Sequence, residues 1–189
     1  MKSILPIAFL ILFMNGFGQS LVVTADGLRD SADAGKSFVV LKVDSASARL
    51  LYDNAKKYIN KTYENPSDVI KAKVENEYVK FITHKSDITS LKNGWATLHI
   101  DGDYTVELNF KDGKAKYEVV ALDMYNPNGG YKLQFSGGIS MSYYPIYNGS
   151  GELKHAEAKR GLEEYFNSEI QSILGYLNGS IGSPKKENW

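Results

Sequence analysis

Tyr104-Thr105-Val106-Glu107-Leu108-Asn109-Phe110-Lys111-Asp112-Gly113-Lys114-Ala115-Lys116-Tyr117 is the stretch that decides the architecture. Before the Asp-Gly pair the apolar residues stand at even positions, and after it they stand at odd ones. Successive side chains of a strand point to opposite faces, so each half reads as a strand with one apolar face. A two-residue turn at Asp112-Gly113 sets Phe110 opposite Ala115, Leu108 opposite Tyr117 and Val106 opposite Val119, which keeps the apolar face continuous. Asp-Gly between alternating strands is a type I′ signal.

Residues 96–100 carry their apolar side chains at even positions too: Ala96, Leu98 and Ile100. A two-residue turn would mix the faces, so the shared parity predicts a three-residue loop, Asp101-Gly102-Asp103, with Gly102 or Asp103 left-handed. The opposite face then carries Thr97, His99, Thr105, Glu107, Asn109, Lys116 and Glu118, as in an antiparallel sheet with one wet side and no helix on it. Ile70, Ala72 and Val74 alternate with lysines, and a tight turn at Asn76-Glu77 leads to Val79 and Phe81. Residues 86–94 read as a connector, with Leu91 and Trp95 as inward anchors.

Two helices flank this sheet. Ala48, Leu51, Tyr52, Ala55, Tyr58, Ile59 and Thr62 recur at three- and four-residue spacing, capped by Asp44 and Ser45 and stopped by Pro66. Leu162, Phe166, Ile170, Ile173, Leu174 and Leu177 mark a last helix over residues 153–178 ended by Gly179. Residues 38–43 form a strand before the first helix. The Gly/Tyr/Asn-rich segment 126–151 holds a weak hairpin, residues 131–135 against 139–143. Both helices need a dry surface and only one sheet face offers it. The expected fold is α+β in two layers, a curved antiparallel sheet with two helices on one face in the order β-α-β-β-β-β-α.

Lys2, the apolar run 4–13 and the small residues Gly16 and Gly18 before Gln19 make a secretory leader over residues 1–18, too short to span a bilayer. Residues 19–36 read as a flexible segment that adds a short strand at 21–24; residues 37–179 form one domain and 180–189 a loose tail. Without cysteine there is no disulfide, no thiolate metal site and no attachment point for a lipid, so the expected address is periplasmic, secreted or cell-surface. Basic and acidic side chains balance at 22 each, which argues against nucleic acid and anionic membranes as partners. Thirteen tyrosines against two tryptophans suit surfaces that are half dry and half wet.

The segment Tyr52-Asp53-Asn54-Ala55-Lys56-Lys57-Tyr58, the strand–turn–strand 104–117 and the leader together resemble a bacterial family of exported proteins classed as a domain of unknown function. That family has a TATA-binding-protein-like fold, of which this chain would be one half-repeat. The resemblance covers residues 38–124 and, loosely, the last helix, and departs from the family at Val74-Glu75-Asn76-Glu77-Tyr78-Val79. It implies a fold and export, and no activity; DNA binding does not follow from the name of the fold.

No nucleophile elbow, phosphate loop, two-histidine metal spacing or cysteine nucleophile is present, so no catalytic residue, metal or cofactor is expected. His99, facing Thr105, with Glu107 opposite Glu118, is the one acid–base candidate, the paired carboxylates raising each other's pKa. A basic stripe of Lys71, Lys73 and Lys80 beside Tyr78, Ile82 and His84 reads as a solvated face. Tyr131, Tyr143, Tyr144 and Tyr147, in a Gly/Asn-rich segment, have the composition of a binding surface. The leading expectation is an exported non-catalytic binding or scaffold domain for an envelope protein or glycan. A carrier of a small apolar ligand between sheet and last helix, and a hydrolase using His99 with Glu107 or Glu118, are the alternatives.

Overall fold

The computed structural model describes residues 19–138, 140 and 142–181; the leader and residues 182–189 of the tail lie outside the described residues. In chain order the elements are β1 (Leu21–Thr24), β2 (Gly27–Asp30), β3 (Phe38–Lys42), α1 (Ala48–Thr62), α2 (Pro66–Val69), β4 (Ile70–Val74), β5 (Tyr78–Asn93), β6 (Ala96–Lys111), β7 (Lys114–Tyr125), β8 (Lys132–Gly137), β9 (Tyr143–Asn148) and α3 (Ala156–Leu177). The fold is α+β. A mostly antiparallel sheet runs β4-β5-β6-β7-β8-β9 with β3 also on β7, and α1 and α3 pack on each other and on one of its faces. Val79, Phe81, Val106, Leu108 and Tyr117 from the sheet meet Leu51, Ile59, Leu162, Phe166, Ile170 and Ile173 from the helices, all fully buried.

The expected register across the Asp-Gly turn is the observed one: Phe110 pairs with Ala115, Leu108 with Tyr117 and Val106 with Val119. The turn is not type I′, because only Gly113 (φ 77°) takes positive φ. Its geometry is set from outside: Asp112 Oδ1 accepts the Ala48 N–H at 2.8 Å, and Gly113 donates to the Ala46 carbonyl at 2.7 Å.

No loop forms at Asp101-Gly102-Asp103. β6 runs straight through, pairing Gly102 with Lys85 on one side and with Met124 on the other. A continuous strand preserves even parity as well as a three-residue loop does, so alternation alone could not separate them. β5 likewise replaces the expected connector, accommodating its extra residues as a bulge between Lys85 and Thr89 with Asp87 at φ 54°. Gly102 leaves room for that bulge, since a Cβ there would lie 3.0 Å from Ile88 Cδ1. The β5–β6 turn is Gly94-Trp95; Leu91 is buried as expected, but Trp95 is fully exposed rather than inward.

Other boundaries moved for local reasons. Ser47, not Asp44 or Ser45, caps α1, accepting from the Leu50 N–H at 3.2 Å. Pro66 opens α2 instead of stopping α1, its missing N–H costing nothing at a helix start. Within segment 19–36 the expected strand at 21–24 is β1, and it pairs with β2 as a hairpin. Leu21 exchanges backbone–side-chain hydrogen bonds with Asn167 at 2.8 and 2.9 Å, and the Val23 N–H donates to Glu163 Oε1 at 2.8 Å. The helix thus supplies partners for a strand edge that would otherwise be bare. β8 and β9 pair in parallel, Leu133 with Tyr144 and Ser136 with Tyr147, so among the described residues the expected antiparallel hairpin does not form; Ile139 and Met141 lie outside the described residues. α3 starts at Ala156 because Lys154 and His155 both donate to the Ile146 carbonyl, and it ends before Gly179 (φ 74°).

Candidate functional site

The open-face candidates do not assemble into a catalytic pair. His99 pairs with Ser90 in the β5–β6 ladder, not with Thr105, and its Nδ1 lies 2.9 Å from Asp87 Oδ1 on the bulge. Glu107 and Glu118 do face each other as expected. They lie eight residues along β6 from His99, roughly 27 Å at strand rise, so no substrate atom can touch both. Each carboxylate also has its own partner: Lys80 at 3.2 Å from Glu107, and Lys116 at 2.7 Å and Ser37 at 2.6 Å from Glu118. Burial pushes the Glu118 carboxyl up, but the hydrogen bonds from Lys116 and Ser37 outweigh it and hold the group below its ordinary value. The mutual raising expected for the pair does not occur at Glu118. Thr105, expected on the wet face, is buried.

The basic stripe is also divided. Ala72 pairs with Lys80 but Lys73 pairs with Val79, so Lys73 and Lys80 stand on opposite faces, while Lys71 lies in the bulge between Ile70 and Ala72.

The tyrosines of the Gly/Asn-rich segment gather at one end of the molecule. Tyr144 accepts a hydrogen bond from Asn93 Nδ2 at 2.8 Å, stacks edge-on with Tyr131 at 5.5 Å between ring centroids, and meets the His155 ring at 6.0 Å. Tyr147 reaches the other way and donates to the Val23 carbonyl at 3.0 Å. Tyr131 and Tyr144 are half-buried, Tyr143 is 44% exposed, and Trp95 stands clear of the protein on the turn next to Asn93. The Asn93–Tyr144 bond therefore fixes the turn carrying Trp95 beside the strand carrying Tyr143. Trp95 was the missed member: an aromatic immediately after the Gly of an Asn-Gly pair is the signal for a residue lifted by a hairpin turn.

A second constellation was not visible in any motif. Glu169, on the buried stripe of α3, is 7% exposed. Its Oε1 accepts from Tyr104 at 2.9 Å and from Tyr58 at 3.4 Å, and its Oε2 accepts from Tyr117 at 2.5 Å. Tyr165 donates in turn to the Tyr104 oxygen. Three elements thus aim phenols at one acid: α1, β6 and β7. Burial pushes the Glu169 carboxyl above its ordinary value despite these three donors. Burial first, and the Glu169 charge second, likewise raise Tyr58, Tyr104, Tyr117 and Tyr165, and Tyr63 to about 12. The cage forms one wall of a cleft of about 380 Å³ between α1, α3 and β5. A signal did exist: residue 169 falls on the same helical face as Leu162, Phe166 and Ile173, where an acid is out of place.

Among the described residues no group of three or more histidine and acidic side chains could hold a metal ion, and no helix is long and apolar enough to cross a membrane. No protein-family model matches the chain and no curated protein does. It is similar to two crystal structures. One is a DUF4468 family protein from Bacteroides ovatus, at 12% identity and TM-score 0.48, over 79% of this chain and 90% of that one. The other is a TBP-like protein from Parabacteroides distasonis, at 8% identity and TM-score 0.45, over 74% of this chain and 90% of that one. The descriptions of the two carry the same terms as the resemblance drawn from the sequence.

Proposed function

We propose that this protein is an exported, non-catalytic binding domain of the bacterial cell envelope that takes a protein partner at its aromatic end. The observation that carries the reading is Trp95, fully exposed on a two-residue turn whose flanking Asn93 is bonded to Tyr144, the neighbour along β9 of the exposed Tyr143. An aromatic of that size held out by a rigid hairpin gains apolar burial only when a partner covers it, and tryptophan and tyrosine are the residues that dominate protein interfaces. Tyr131 and Tyr144 support the platform from below through their mutual stack and the Asn93 hydrogen bond. The leader pattern of residues 1–18 favours export. The separation of His99 from Glu107 and Glu118 removes the hydrolase geometry. The α3–sheet interface, where a carried apolar ligand would sit, is filled by Leu162, Phe166, Ile170 and Ile173.

The test is site-specific photo-crosslinking in envelope preparations, with the reactive group at position 95 and a control at Lys61 on α1. The expected result is one protein species crosslinked from position 95 only, lost on Tyr143→Ala. Equal crosslinking from both positions, indifference to Tyr143→Ala, or capture of glycan alone would end the reading.

A further inference from the structure

The cleft over Glu169 lies away from the aromatic end and carries its own chemistry. A carboxylate offers about four acceptor positions. On Glu169 one is filled by Tyr104 at 2.9 Å, one closely by Tyr117 at 2.5 Å, and a third only loosely by Tyr58 at 3.4 Å. Tyr58 is a cleft wall, so the longest and weakest of the three bonds to the acid is the one on the cleft side, where a stronger donor can replace it. Among the described residues no lysine, arginine or histidine forms an ion pair with Glu169. A buried acid surrounded by neutral donors only is electrostatically incomplete.

The mouth of the same cleft has the complementary imbalance. His84 is engaged by Asp103 at 2.9 Å, but Lys85 pairs with no carboxylate among the described residues. Its ammonium stands 5.9 Å over the Tyr165 ring, which shows that this wall accepts a cation. The remaining lining is Tyr58 and Tyr63 with hydroxyls from Thr62, Thr83, Ser168 and Ser172. An acid at the floor, aromatic faces along the walls and an unpaired ammonium at the rim form a charge gradient over a space of about 380 Å³. That volume is at the lower end of small-molecule sites, which run from about 300 to 1,000 Å³.

We propose that this cleft binds a small organic zwitterion, its ammonium against Glu169 among the rings of Tyr58, Tyr63 and Tyr165, and its anionic group at Lys85. A simple cation would meet the Lys85 charge at the entrance unrelieved, and a simple anion would meet Glu169 within. Only a ligand bearing both charges answers both ends.

The probe is 5-aminopentanoate, with pentylammonium and pentanoate as single-charge controls of the same chain length, titrated into the full protein by calorimetry or ligand-observed NMR. The zwitterion should bind about tenfold more tightly than either control, the increment of one charge-assisted hydrogen bond. Glu169→Gln should lose about tenfold for the zwitterion and for pentylammonium. Lys85→Ala should bring the zwitterion down to pentylammonium without weakening pentylammonium itself. Ser168→Trp, an exposed position on the cleft wall, should block the zwitterion and leave the fold intact; it decides the matter alone should Glu169→Gln fail to fold. Zwitterion binding no tighter than pentanoate, or binding that survives Ser168→Trp, would overturn the proposal.

Discussion

Two groups of tyrosines in this protein use their hydroxyls in opposite ways. Around Glu169, Tyr58, Tyr104 and Tyr117 all donate to one buried carboxylate, and Tyr165 joins through Tyr104. At the hairpin end, Tyr144 and Tyr147 fasten neighbouring segments to each other, while Tyr143 and Trp95 turn their rings to water. The difference follows from what each group faces. An acid on an apolar helical stripe must collect donors from the helix and the sheet packed against it, whereas a turn lifts its aromatics away from any internal partner. Substitutions at Tyr104 and Tyr117 should register as stability, and at Tyr143 and Trp95 as recognition.

The largest expected effect is at Phe166, fully buried and edge-on to Tyr104 at 5.3 Å and Tyr165 at 5.2 Å. Phe166→Ala should destabilise the fold by about 3–5 kcal/mol in urea denaturation. A loss under 1 kcal/mol would mean that the cage does not rest on this ring. Next comes Tyr117→Phe, which leaves Glu169 Oε2 without its 2.5 Å donor. It should cost about 1–3 kcal/mol at neutral pH, and less in acid, where the carboxyl is protonated.

Glu169 itself supplies a pH test. Its folded-state pKa is raised, so between the ordinary carboxylate value and that raised value the folded protein binds more protons than the unfolded chain. Its contribution is fully present below the ordinary value and is lost as pH rises through the raised one. Melting curves from pH 4 to 8 should therefore show Glu169→Gln gaining on the wild type as pH rises. Glu118, whose pKa is lowered, acts in the opposite sense in both proteins and cancels in the comparison. Parallel profiles would contradict a buried, raised carboxyl. The smallest effect belongs to Trp95→Ala, which should change stability by no more than about 0.5 kcal/mol while abolishing pull-down of the partner from envelope preparations. A larger loss of stability would show that the turn belongs to the core.

How much of this was legible in the chain depended on whether one residue period decided the question. The Asp-Gly hairpin was readable to the individual pair, because alternation on both sides of a two-residue turn admits only one register. The even parity of residues 96–110 was equally real but fitted a continuous strand as well as a loop, and only the long β5 partner distinguishes them. The parallel β8–β9 pair gives no local sign, since parallel neighbours are joined by no tight turn whose residues could announce them. Of the four tyrosines singled out in the sequence, Tyr131 and Tyr144 stack on each other while Tyr147 turns to Val23, and Trp95, read as inward, stands exposed. The Glu169 cage joins residues 58, 104, 117 and 169, and no spacing in the chain connects an acid on the last helix to phenols on three earlier elements.

The clasp between Leu21 and Asn167 spans 146 positions. A chain emerging in sequence order offers its first strand to solvent long before that asparagine exists, and no local pairing other than β2 can shield it. Contacts of such separation slow folding. β1 is therefore among the last of the described strands to reach its final place, and until then it leaves a short greasy edge available to chaperones or to other nascent chains.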